Sequence, residues 1–118
     1  MSLVQRPAVL IACFVLASAS ICQSAEKIKV LIVTGFDVGS HKWEESAKLN
    51  QAILNESGKF DVEISQDKEV FASDDLDDYD VLVLNYGFWK EPDPSDKAKA
   101  GLLNYAKNGG NIVALHFA

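Results

Sequence analysis

Ile28-Lys29-Val30-Leu31-Ile32-Val33-Thr34-Gly35 is β-branched, almost continuously apolar, and closed by a glycine. A half-buried strand alternates apolar and polar residues. A strand without that alternation is covered on both faces, as in a parallel sheet. Two further stretches repeat the pattern, Val81-Leu82-Val83-Leu84 and Ile112-Val113-Ala114-Leu115. Only Phe60-Asp61-Val62-Glu63-Ile64-Ser65 keeps period two, which suits an outer strand with one wet face.

Helical spacing fills the gaps. Over 42–57, Trp43 pairs with Ala47, and Leu49 with Ala52 and Ile53, at intervals of three and four. Glu44 and Glu45 sit in the first turn, where the helix dipole favours them, and Gly58 offers a left-handed stop. A second helix starts with Asp93 as N-cap and Pro94 at the first helical position, carries Ala98, Leu102, Tyr105 and Ala106 inward, and ends at Asn108-Gly109-Gly110. The polar connector 66–80 is long enough to hold a short helix. Its run Asp74-Asp75-Leu76-Asp77-Asp78 lacks the spacing of a calcium loop and reads as a solvated acidic loop. The order β-α-β-β-α-β also fits a ferredoxin-like sandwich, but that fold prefers antiparallel pairs with one wet face. Three uniformly apolar strands favour an α/β fold of flavodoxin-like type, a parallel sheet with helices on both faces.

Residues 1–25 stand apart from this pattern. A single charge, Arg6, precedes an apolar stretch from Ala8 to Ala17, followed by small and polar residues up to Ala25. That is the layout of a secretory signal peptide, too short in its apolar part for a spanning helix. Leu10-Ile11-Ala12-Cys13 resembles a bacterial lipoprotein box, but too few apolar residues precede it. The expectation is an exported protein, periplasmic or extracellular, with residues 26–118 forming the folded part and no membrane attachment once the leader is cleaved.

Loss of the leader removes Arg6 and none of the 17 acidic residues, so the remainder is more acidic than the −6 of the whole chain. Such a balance argues against nucleic acid and against an anionic membrane surface. Both cysteines, Cys13 and Cys22, lie in the leader. The folded part therefore offers no disulfide, thiolate nucleophile or cysteine-ligated metal.

In an open α/β sheet, ligands bind beyond the carboxyl ends of the strands. The loop 35–41, the segment Asn85-Tyr86-Gly87 and His116 all fall there, and with them both histidines of the chain. His41 and His116 are the candidates for proton transfer. Asp37, Trp43 and Asn85 are the candidates for holding substrate. Each has a structural alternative. His41 would pack at a helix start, Asp37 would close an Asx turn, Trp43 would anchor the core, Asn85 would cap a turn, and His116 would bond a neighbouring loop. The glycines at 35 and 39 match neither a dinucleotide fingerprint nor a Walker loop. Asp37, His41 and His116 lack metal-ligand spacing. Neither a metal nor a cofactor is expected.

Several segments together resemble the ThuA-like (trehalose-utilisation) family: Val30-Leu31-Ile32-Val33-Thr34-Gly35, His41-x-Trp43, Phe60-Asp61-Val62, Tyr79 through Tyr86, and Asn108-Gly109-Gly110 running through the strand to His116-Phe117-Ala118. The last is the most specific. The resemblance spans Lys29 to Ala118 and implies a class I glutamine amidotransferase-like fold, of which this chain would be the N-terminal part. That superfamily places a cysteine nucleophile after this strand. Here His116 takes the position, and glutamine hydrolysis by a thiolate is excluded. The family implies carbohydrate use, involving trehalose or related keto-sugars. Two classes of function stay open: a sugar-processing enzyme, and a non-catalytic carbohydrate-binding or scaffolding module of a larger exported protein with fused C-terminal modules.

Overall fold

The computed structural model describes residues 25–35, 42–86 and 91–115. Four strands, β1 (Ile28–Thr34), β2 (Phe60–Ser65), β3 (Val81–Asn85) and β4 (Asn111–Ala114), form one sheet in the order β2-β1-β3-β4. All three pairings are parallel. The sandwich alternative, with its antiparallel pairs, is thereby ruled out.

The pleat of β1 sends successive side chains to opposite faces and builds two cores. Val30 and Ile32 meet Ala47 of helix α1 (Trp43–Glu56), with Val62 and Val83 beside them. Leu31 and Val33 meet Phe71, Leu76, Leu82, Ala98 and Tyr105 on the other face, where helix α2 (Asp96–Lys107) packs. From Val30 to Thr34 the strand is buried, which is why it needed no polar alternation. β2 forms an edge, and its Asp61 and Glu63 face solvent as the period-two pattern predicts.

Three local expectations are corrected. The connector between β2 and β3 holds two short 3-10 helices, Lys68–Ala72 and Asp74–Asp78. The acidic run is therefore not a loop. Leu76 is driven into the core between its carboxylates, while Ser73 caps the turn through its hydroxyl. Helix α2 begins two residues later than its Asp93-Pro94 signal. Ser95 is the N-cap, accepting from Ala98 N–H at 3.1 Å, and Asp93 instead pairs with Lys99. Finally, Leu49 and Ile53 of α1 stay 61% and 56% exposed, although their spacing marked them as core. The helix rests on the sheet through Ala47 and Leu54 instead.

Both helices end as their glycines predict. Gly58 and Gly109 take left-handed φ values of 72° and 94°. After α2, Gly110 N–H donates to Tyr105 O at 2.9 Å and Gly109 N–H to Ala106 O at 3.1 Å, the paired bonds of a Schellman motif.

β4 is exposed along its whole length. Beside it, on the α1 face, runs an apolar groove of about 380 Å³ lined by residues that include Ile53, Leu54, Phe60, Val83, Val113 and Leu115.

Candidate functional site

The carboxyl ends of β1 and β3 lie side by side, with Thr34 in register with Asn85. Their side chains form a polar clasp. Thr34, fully buried, donates its hydroxyl to Asn85 O at 2.9 Å. The Asn85 amide nitrogen faces Ser46 Oγ at 3.0 Å, Thr34 Oγ1 at 3.2 Å and Trp43 O at 3.4 Å. Ser46 Oγ in turn donates to Trp43 O at 3.0 Å. An amide has only two hydrogens, so these acceptors consume its donor capacity. The side-chain oxygen of Asn85, Oδ1, takes no part in these bonds.

The clasp also explains how the rim holds its first helix. Helix α1 has no side-chain cap at Lys42, and the ion pairs of its first turns, Lys42–Glu45 and Lys48–Glu44, are surface pairs. Exposed pairs of this kind contribute little. The bonds from Asn85 to Trp43 and Ser46 tie the first turn directly to the sheet.

Tyr86, just past β3, is buried against Gly35. A Cβ at Gly35 would come within 3.0 Å of the Tyr86 ring, and its φ of +146° is one that side chains rarely accept, so both constraints require glycine there. Burial, then the nearby Glu91, Asp67 and Glu69, pushes the Tyr86 phenol up to about 12. The ring stays protonated and neutral at physiological pH. Sequence reasoning did not single out Tyr86 as a wall of the rim. The available signal was an aromatic residue directly after a buried strand.

Of the residues predicted from sequence, Asn85 and Trp43 are brought together at this rim. Trp43 opens α1, half-buried, and its main-chain carbonyl joins the clasp. Asp37, His41 and His116 lie outside the described residues. Leu115, the last described residue, still holds the sheet register by donating its N–H to Leu84 O at 2.9 Å. Among the described residues, no group of three His, Cys, Asp or Glu could hold a metal ion, and no helix is long and apolar enough to cross a membrane.

A parallel sheet in this order, helices on both faces and a polar clasp at the carboxyl rim define a flavodoxin-like α/β domain. A sequence profile described as ThuA, trehalose utilisation, matches residues 29–118. The chain belongs to the ThuA family, whose description ties it in general terms to trehalose utilisation. Two crystal structures are similar. A thuA-like protein from Parabacteroides merdae ATCC 43184 is 30% identical with a TM-score of 0.64, over 77% of this chain and 33% of that one. A thuA-like protein from Bacteroides uniformis ATCC 8492 is 22% identical with a TM-score of 0.66, over 83% of this chain and 40% of that one, and supports the fold alone. The chain thus spans roughly a third to two fifths of the length of these structures. No curated protein matches it.

Proposed function

We propose that this chain forms the sugar-facing rim of an exported ThuA domain, acting on trehalose or a related keto-sugar. The observation that carries the reading is the Asn85 clasp. Its amide donors are spent inside the protein, and it lies at the carboxyl rim, where ligands bind in parallel α/β sheets generally, which supports an acceptor role for Asn85. In this reading Asn85 and Asp37 accept bonds from sugar hydroxyls and Trp43 lines the approach. His41 and His116 move protons, since an imidazole titrates near neutrality. The leader 1–25 directs export. The lack of cysteine in 26–118 favours a second reading, a carbohydrate-binding or scaffolding module without turnover. Both are separated by replacing His116 with Ala in the protein and measuring sugar binding and keto-disaccharide turnover. Turnover lost with binding retained supports the catalytic role. Turnover unchanged removes His116 from it, and binding without any turnover in either form selects the module.

A further inference from the structure

We propose that Asn108 is a site of spontaneous deamidation, which makes the α2–β4 connection a chemically ageing joint. The chain has six asparagines, at 50, 55, 85, 104, 108 and 111, and only Asn108 precedes a glycine. The reaction needs the main-chain nitrogen of the next residue to reach the asparagine side chain, and a side chain on that residue obstructs it. Gly109 has none, and nothing lies within 4 Å of where its Cβ would be. Asn108 is exposed at the C-cap of α2, and water reaches it freely. The competing asparagines are poorly placed. Asn50, Asn55 and Asn104 sit inside helices, Asn85 spends its amide in the clasp, and Asn111 donates its amide to Asp80 O at 3.0 Å.

The Gly109 nitrogen, after losing its proton, attacks Asn108 Cγ. A C–N bond forms, ammonia leaves, and a five-membered succinimide results. Water then opens either carbonyl, giving aspartate or iso-aspartate. The step is held back by the Gly109 N–H bond to Ala106 O, which lies in the last helical turn and opens by fraying. The products suit the site poorly. A new carboxylate falls at the negative end of the α2 dipole, in a depression it shares with Asp77 and Asp80. Iso-aspartate also lengthens the main chain immediately before Gly109, whose N–H bond to Ala106 O, with that of Gly110 to Tyr105 O, closes the end of α2.

The test incubates the 118-residue chain at neutral and mildly alkaline pH, native and in urea, and reads each asparagine by peptide mass spectrometry. The expected result is conversion at Asn108 ahead of the other five in the native chain, faster at the higher pH, with both products present. Gly109→Ala should abolish that lead, and should do so in urea as well, where folding cannot confuse the comparison. An Asn108 that stays intact in the native chain while converting in urea would overturn the proposal, as would another asparagine converting first.

Discussion

At the scale of single residues, the least conspicuous position carries a strong constraint. Gly101 lies in the middle of α2, where glycine costs about 1 kcal/mol relative to alanine. Its presence is explained by the neighbouring 3-10 helix. A Cβ there would collide with the carbonyl oxygen of Phe71. Gly101→Ala should therefore destabilise the fold by about 1–3 kcal/mol despite its better helix propensity, because backbone must move to admit the methyl group. A denaturant midpoint equal to or above that of the parent would contradict this. Neither this contact nor the partners of Asn85 could be read from sequence. Thr34 and Asn85 are 51 positions apart and meet through the register of β1 against β3, and the packing of α1 on the sheet brings Ser46 to them. The apolar strands themselves were legible as strands, and in β1 the pattern follows burial at every position from Val30 to Thr34, whereas β4 carries the same pattern while exposed.

At the scale of elements, the start of α2 shows how a tertiary contact overrides a local signal. Asp93-Pro94 is a sound N-terminal pattern, yet Ser95 takes the cap because Glu69, from the preceding 3-10 helix, secures it. The Glu69 carboxylate accepts from Ser95 N–H at 3.0 Å and from its hydroxyl at 2.5 Å. These bonds, the hydroxyl one first, hold the Glu69 pKa below its usual value, with Lys68 adding a smaller pull. A carboxyl whose folded pKa is lowered lends stability above its unfolded pKa and withdraws it as pH falls through the folded value. Glu69→Gln should flatten that acid-side loss, measured as Tm against pH from neutrality down through the carboxylate range. Ser95→Ala removes the cap as well and should cost about 1 kcal/mol at neutral pH. An unchanged acid slope in Glu69→Gln would show that the link to α2 contributes nothing.

At the scale of the whole molecule, the two faces of the sheet are unequally served. One carries α2 and both 3-10 helices, while the other carries α1 alone among the described residues. On the α1 face, Ile53 and Val113 line the apolar groove beside β4 and remain exposed because nothing described packs over them. A contiguous apolar surface of this kind favours association. The 118-residue chain should bind a hydrophobic dye and self-associate as its concentration rises, and Val113→Asp should reduce both. Light scattering that reports a monomer at all concentrations, with no dye binding, would refute the expectation.

The strand order has a further consequence, in time rather than in space. The first strand to leave the ribosome is the one that ends at the interior of the sheet, flanked by β2 and β3. The hydrogen bond closing it against β3 joins residues 51 positions apart. Until Asn85 has emerged, β1 keeps an open edge, and its apolar faces lack most of their cover. Pairing over such separations is slow, because the loop must close before contacts repay it. Folding of this sheet is therefore expected to wait on synthesis, with its most buried strand made before the others and secured late.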